Sequence, residues 1–246
     1  MSPDRFVALA ERGGLVPVWR DCLLDADTPV SAFAKLRREP FAFLLESAPA
    51  GSETWARYTF LGTEPRGAWR LTDGVVEDWT PERGWVAARR PADPLTDLRT
   101  RLTEFEPADV PELGAFWSGA VGFFGYDVVR LLERLPNPPR RAVEVPDAVF
   151  VFTRALVILD NLRAQARVVV AVPVAAGVDA PGRRRLYDEA EREIDAVIAR
   201  LQAPGVLPPL ALDPCAPPAH GVSAYSRQRF EHDVQRIRDY IVAGDC

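Results

Sequence analysis

The chain contains 246 residues, 48% of them hydrophobic, which is enough to bury the core of one large or two small domains. The formal net charge is −5, and acidic and basic residues are interspersed along the sequence. Because phosphate backbones require a basic stripe, which this sequence lacks, no nucleic-acid partner is predicted. No apolar run approaches the roughly 20 residues of a membrane helix, and the first residues are amphipathic, so we expect a cytoplasmic protein without a membrane partner.

Helix and strand signals alternate in the first third of the chain. Ser2-Pro3 is typical of an N-cap and first helical turn, and Thr28-Pro29 begins a second helix. Residues 15–19, between them, have the pattern of a strand. Further short β-type runs are predicted at residues 41–46, 58–61, 68–71 and 75–79, the last two joined by a hairpin turn at Asp73-Gly74.

A glycine-rich strand is predicted in the middle of the chain, after a helix capped by Asp93. This long strand begins at Ala115 and is punctuated by Gly119, Gly122 and Gly125. A dinucleotide-binding loop needs Gly-x-Gly-x-x-Gly between a strand and a helix, so this spacing does not fit one. Glycines within a strand more often mark bulges or close backbone approach, and we favour that interpretation.

The next segment predicts an extension of the sheet and a helix that covers it. Residues 149–159 and 166–174 are β-rich, and residues 160–165 between them are short and polar enough for a hairpin connection. The charged helix predicted at residues 183–201 has an apolar inner face that we expect to lie against this sheet.

The end of the sequence has a different character. Residues 203–221 contain six prolines, which exclude regular structure and indicate a linker. Ser223 is predicted to cap a last helix that ends at Gly244 and has an apolar stripe on one face. Because no later element is present for this stripe to pack against, we expect the sequence to be truncated.

The three cysteines, Cys22, Cys215 and Cys246, are far apart and form no Cys-x-x-Cys motif. This pattern encodes neither a disulfide framework nor a zinc site, and we expect reduced thiols.

Glu46 and Ser47 form the best candidate binding site. They end an apolar run at residues 41–45, and polar groups in such a position need partners. A carboxylate accepts hydrogen bonds from an ammonium group, and a hydroxyl both donates and accepts, which suits the zwitterionic head of an amino acid. The alternative is a strand that turns polar where it reaches solvent. From these residues alone, both interpretations stay open.

Several motifs occur together in the order found in one enzyme family. They are Leu15-Val-Pro-Val-Trp-Arg20, Thr28-Pro-Val-Ser-Ala-Phe33, Leu44-Leu-Glu-Ser47, Arg57-Tyr-Thr-Phe-Leu-Gly62, residues 119–130 and Asp147-Ala-Val-Phe150. Together they resemble the N-terminal half of component I of anthranilate synthase. Residues 225–245 are similar to the first helix of the chorismate-utilising domain of that family. The resemblance covers nearly the whole chain.

The resemblance implies an α+β fold, with antiparallel β-sheets packed as a sandwich and helices on the outside, in agreement with the strand and hairpin pattern. It also implies three segments: a regulatory, tryptophan-binding domain at residues 1–202, a proline-rich linker at residues 203–221, and the truncated start of the catalytic domain at residues 222–246. By motif, the residues implied to bind the inhibitor L-tryptophan are Ser47, Glu46 and Leu45.

Enzymes of the family convert chorismate and ammonia to anthranilate and pyruvate, with Mg²⁺ as cofactor and a glutamine amidotransferase subunit as partner. The resemblance implies that the magnesium ligands and the catalytic residues belong to the missing half. No catalytic residue, metal ligand or cofactor is therefore expected in this chain, and the isolated chain is expected to be inactive.

Two alternatives remain at this point. Component I of aminodeoxychorismate synthase, a folate enzyme, has the same fold and a similar amino-acid pocket, although residues 119–136 look more like the anthranilate enzymes. The other alternative is a stand-alone module that binds an amino acid or a glutaminase partner without catalysing a reaction.

Overall fold

The computed structural model describes residues 1–47, 57–114, 116–137, 143–205 and 221–245, together with residues 207, 213, 215 and 217. The chain divides into two compact units, Met1–Leu207 and Pro208–Cys246. Much of the predicted linker, and Cys246, lie outside the described residues.

Five α-helices occur in the described residues. They are α1 (Pro3–Leu9), α2 (Pro29–Leu36), α3 (Pro94–Leu102), α4 (Ala180–Gln202) and α5 (Arg227–Ala243). A serine, threonine or aspartate caps each helix and accepts a hydrogen bond from a backbone N–H of the first turn. The first four helices also have a proline in that turn, where its missing N–H costs nothing.

The predicted cap of the last helix is wrong. Ser226, not Ser223, precedes α5, and its side chain accepts a hydrogen bond from the N–H of Arg229. The Ser223 hydroxyl accepts instead from the N–H of Tyr225, which closes a local turn before the helix. The helix ends at Gly244 in the left-handed conformation, as predicted.

The strands of the first unit form two five-stranded sheets, in which every neighbouring pair is antiparallel. The strands are β1 (Gly14–Leu23), β2 (Ala42–Glu46), β3 (Tyr58–Thr63), β4 (Gly67–Thr72), β5 (Val75–Thr80), β6 (Gly84–Arg89), β7 (Ala120–Phe124), β8 (Ala148–Phe152), β9 (Ala155–Asp160) and β10 (Gln165–Val174). The first sheet has the order β1-β10-β9-β3-β2, and the second has the order β6-β5-β4-β8-β7. The predicted α+β class, with antiparallel sheets and flanking helices, is confirmed.

One bent ribbon belongs to both sheets. β3 continues into β4 through residues 64–66, and β8 continues into β9 through residues 153–154. β3 pairs with β9 in the first sheet, and β4 pairs with β8 in the second. The prediction of a single β-run at residues 149–159 is therefore wrong in one respect. These residues belong to two strands, β8 and β9, which lie in different sheets.

Thr153 lies at the point where the ribbon bends and is only 3% exposed. Its N–H donates to the carbonyl oxygen of Gly119 at 2.9 Å, and its Oγ1 accepts from the N–H of Gly119 at 3.0 Å. Oγ1 also lies 3.2 Å from the hydroxyl of Ser118. These bonds satisfy backbone groups that lie outside the strand pairing of both sheets. A buried bend requires such bonds because buried N–H and C=O groups need partners.

Each sheet has its own apolar core. On one face of the first sheet, α4 packs on β1 and β10, α1 packs on β1, and α2 packs on β2 and β3, around Phe6, Leu36 and Ile194. The predicted contact between the charged helix and the sheet is confirmed by α4. On the other face, Trp19 and Trp117 belong to a second cluster. A third cluster covers the second sheet and includes residues of β4, β5, β8 and α3.

The predicted long strand from Ala115 is also wrong. Ala115 itself lies outside the described residues, β7 spans only five residues, and Tyr126–Leu131 form a 3₁₀-helix. The N–H of Gly125 still donates to the carbonyl oxygen of Asp147, and pairing with β8 ends there because the chain enters the 3₁₀-helix at Tyr126. The interpretation of the glycines as sites of close approach is confirmed at Gly122, where a Cβ atom would lie 1.9 Å from the carbonyl oxygen of Val149. The strand β6 was not predicted from the sequence.

We expect Thr153→Val to lower the free energy of unfolding by about 1–3 kcal/mol, because the N–H of Gly119 loses its acceptor in a buried site. The measurement is urea unfolding. The control is Thr72→Val, since Thr72 lies in β4 and its hydroxyl has no hydrogen bond within the described residues. Equal stability of the two variants would contradict a supporting role for Thr153 in the bend.

Candidate functional site

The three residues predicted to bind an amino acid lie at the end of β2, which is an edge strand of the first sheet. Leu45 pairs with Phe60 of β3, and Glu46 pairs with Thr59. Because side chains alternate along a strand, Leu45 shares a face with Phe60, while Glu46 points to the opposite face. The same alternation, continued one residue past the strand, puts Ser47 on the face of Leu45.

All three residues are exposed, Leu45 to 44%. The side chains of Glu46 and Ser47 form no hydrogen bond or ion pair with any described residue. Sequence reasoning therefore located the end of the strand correctly. It did not reveal that Glu46 is separated from the other two by the sheet itself.

A cavity of about 630 Å³ lies on the face of the first sheet that carries Phe60. It is lined by residues of β1, β3, β9 and β10 and by residues 111–114 and 116. Its apolar wall includes Phe60 and Phe116, whose rings meet nearly edge to face with centroids 5.3 Å apart. A cavity of this size is in the usual range for small-molecule sites.

One ion pair at the rim of the cavity joins two neighbouring strands. Arg57 Nε lies 3.0 Å from Asp160 Oδ1, and Arg57 Nη2 lies 2.5 Å from Asp160 Oδ2. The N–H groups of Leu162 and Arg163 also donate to Asp160 Oδ1. The Arg57 guanidinium holds the pKa of Asp160 below its ordinary value, and the backbone donors act in the same direction.

A second ion pair closes the other side of the rim. Arg167 forms two hydrogen bonds to the carboxylate of Asp21, at 2.6 and 2.8 Å, and a third to the carbonyl oxygen of Glu112. The carboxylate of Asp21 accordingly raises the pKa of Arg167. Arg163 also lines the cavity, and its guanidinium has no ion-pair partner in the part of the chain that the structure describes.

This arrangement combines an aromatic wall with a rim of fixed charges and one cation available to a ligand. Such a cavity suits a small molecule that has both a ring and an ionised head. Sequence reasoning missed it because its walls come from four strands and a loop that are distant along the chain. The sequence feature that could have indicated this cavity is Arg57, which begins the motif Arg57-Tyr-Thr-Phe-Leu-Gly62.

Other kinds of site receive little support in the described ranges. They contain no group of three His, Cys, Asp or Glu residues that could hold a metal ion. None of the described helices is long and apolar enough to cross a membrane. Cys22 is half-buried and free, and burial raises the pKa of its thiol.

Residues 42–246 match the family of chorismate-binding enzymes. The chain belongs to this family. Two curated relatives are similar to the whole chain: anthranilate synthase component 1 of Pseudomonas putida, with 32% identity over 262 residues, and that of Aquifex aeolicus, with 30% identity over 246 residues. The resemblance to component I inferred from the motifs is confirmed.

The chain spans about half the length of these curated relatives, 49% of the Pseudomonas putida protein and 48% of the Aquifex aeolicus protein. Among solved structures, anthranilate synthase component I from Streptococcus pneumoniae matches with a TM-score of 0.48 and 24% identity. The match covers 91% of this chain and 46% of that one.

We expect Asp160→Asn to lower the free energy of unfolding by about 1–3 kcal/mol at neutral pH, because the amide keeps the turn but loses the charge that pairs with Arg57. The folded-state pKa of Asp160 lies below its ordinary value of 3.8, so this stabilisation is complete above about pH 5 and is lost as the pH falls through the folded-state pKa. Urea unfolding from pH 7 to pH 3 measures the difference.

The control for this prediction is Asp188→Asn, which breaks an exposed pair with Arg184 on α4. Such a pair contributes about 0–1 kcal/mol. A stability difference between wild type and Asp160→Asn that does not shrink at low pH would contradict the role of the Asp160 charge.

Proposed function

We propose that this chain is the regulatory N-terminal part of an anthranilate synthase component I. The observation that carries the proposal is the 32% identity with the Pseudomonas putida component 1 along the entire chain. The proposed reaction of the whole protein is conversion of chorismate and ammonia to anthranilate and pyruvate, the first step of tryptophan synthesis. Its proposed partner is a cytoplasmic glutamine amidotransferase subunit that supplies the ammonia.

In this proposal, residues 1–202 form the regulatory domain, residues 203–221 the linker and residues 222–246 the beginning of the chorismate-binding catalytic domain. Mg²⁺ is the cofactor proposed for the whole enzyme. The described residues contain no group of three His, Cys, Asp or Glu side chains that could hold a metal ion, and no step of the reaction is assigned to residues of this chain.

The proposed regulator is L-tryptophan, bound at the end of the edge strand β2, where Ser47 and Leu45 lie on one face and Glu46 lies on the other. The neighbouring cavity supports this assignment, because its aromatic wall lies on the face of Leu45 and could receive an indole ring. Ser47 would bind the ionised head of the amino acid, and Arg163 at the rim offers a cation for its carboxylate.

Inhibition requires that tryptophan bind more tightly to a state with poor chorismate affinity. Because coupling between two ligands is reciprocal, chorismate must then weaken tryptophan binding by the same factor. Leu45 and Ser47 are exposed at a sheet edge, where a ligand can reach them.

We expect Ser47→Ala to raise the tryptophan concentration for half-inhibition at least about tenfold, since a hydrogen bond to a charged group contributes about 1.5–3 kcal/mol and 1.4 kcal/mol corresponds to tenfold. Activity without tryptophan should not change. The assay uses the gene product that carries this sequence, with chorismate, ammonium and Mg²⁺, and follows anthranilate formation.

The matched control is Thr100→Ala, which removes a hydroxyl from an exposed position of α3. Unchanged tryptophan inhibition in Ser47→Ala would remove Ser47 from the site. Product analysis in the same assay tests the reaction, because 4-amino-4-deoxychorismate in place of anthranilate would identify the folate enzyme.

We expect the 246-residue chain alone to form no anthranilate from chorismate and ammonium, because the chain matches only half of its relatives' length. The complete Pseudomonas putida relative serves as the positive control under the same conditions. Product formation by the isolated chain, measured by anthranilate fluorescence, would contradict the assignment of this half to regulation.

A further inference from the structure

Arg66 is a half-buried cation whose side chain has no hydrogen-bonding partner among the described residues. It follows β3 in the bend between the two sheets, where its backbone N–H donates to the carbonyl oxygen of Phe152. Its Nε atom is inaccessible to solvent, and the guanidinium forms no hydrogen bond or ion pair within the described residues. Buried polar groups are nearly always satisfied, so such an exception needs an explanation.

Two aromatic rings account for part of the environment of Arg66. The guanidinium carbon lies 5.4 Å from the ring centre of Phe152 and 5.9 Å from that of Phe105. These contacts attract a cation but satisfy none of its N–H donors in the plane of the guanidinium. Burial lowers the pKa of Arg66, and the nearby carboxylate of Glu104 opposes this effect.

Arg66 lines an open cavity of about 340 Å³ at the second sheet. Two further arginines line this cavity, Arg83 after β5 and Arg101 on α3. The acidic residues in its lining are Asp78 and Glu104. The space is large enough for a small anion with its hydration water.

The charges around the cavity do not balance. Asp78 already pairs with Arg101 at 2.7 Å and with Arg89 at 2.5 Å, and Arg89 also pairs with Asp97. This network of two arginines and two aspartates is neutral by itself. The charge of Asp78 is therefore already paired within the network.

The remaining charges of the lining are Arg66, Arg83 and Glu104, which leave an excess of one positive charge. The guanidinium of Arg83 has no ion-pair partner among the described residues, and Glu104 is exposed at the rim. A partly desolvated arginine with donors that no described residue accepts, in a cavity of net positive charge, is an environment that recognises oxyanions.

We propose that this cavity binds a compact oxyanion, a phosphate or carboxylate group, with Arg66 as its main ligand and Arg83 at its rim. The anion accepts the free N–H donors of Arg66 and neutralises the charge that the protein leaves uncompensated. Glu104 competes with the anion for the same guanidinium. The site lies at the second sheet and is separate from the cavity beside Phe60.

The test is a calorimetric titration of the full chain with sodium phosphate, against sodium chloride at equal ionic strength. We expect saturable phosphate binding in the wild type that Arg66→Gln weakens at least tenfold, which is about 1.4 kcal/mol. Arg83→Gln should weaken it by a smaller factor. Glu104→Gln should tighten it, because that variant removes the competing carboxylate. A parallel titration with sodium acetate distinguishes a phosphate site from a carboxylate site.

The matched control is Arg99→Gln, which removes an exposed arginine of α3 that does not line the cavity. Phosphate binding no stronger than chloride binding would overturn the proposal, and so would wild-type affinity in Arg66→Gln. If Arg66→Gln does not fold, the other two variants decide, because the proposal requires Arg83→Gln and Glu104→Gln to change the affinity in opposite directions. Affinities in both variants equal to that of Arg99→Gln would overturn it.

Discussion

The fold of the larger unit depends on one constraint: β3 pairs with β9 in the first sheet, and β4 pairs with β8 in the second. Two chain segments run side by side out of one sheet and into the other, so neither sheet can form its centre without the other. Thr153 makes the passage possible because it bonds the backbone of Gly119 where the ladder is interrupted. The same bend brings Arg66 beside Phe152, and the same strands carry Arg57 and Asp160 to the rim of the larger cavity.

Local sequence predicted most elements because local physics forms them. The cap and proline pairs located the starts of α1 to α3, and Asp73-Gly74 located its hairpin through two residues with positive φ. The sequence could not show that the run at residues 149–159 crosses between sheets, since apolar strands of either sheet look alike. The polar pair Thr153-Arg154 inside that run was the local sign.

The candidate site was predictable only in part. The apolar run that ends at Glu46 correctly located the end of β2, and the family motifs singled out the adjacent Ser47. The side of the sheet that each residue faces depends on the pairing of Leu45 with Phe60, which requires knowledge of the register. The cavity itself depends on pairs such as Arg57 with Asp160 and Arg167 with Asp21, whose partners are far apart in sequence and carry no local signature.

The position of β10 has a consequence for the order in which the protein folds during synthesis. β10 is inserted between β1 and β9, so among the described strands the partner of the N-terminal strand lies near the other end of the first unit. The hairpins of the second sheet can form as soon as they leave the ribosome, whereas most of β1 must wait; only Leu15 has earlier partners, the backbone groups of Glu106 and Ala108, among the described residues. Until β10 emerges, the rest of this strand is open to chaperones and to mispairing.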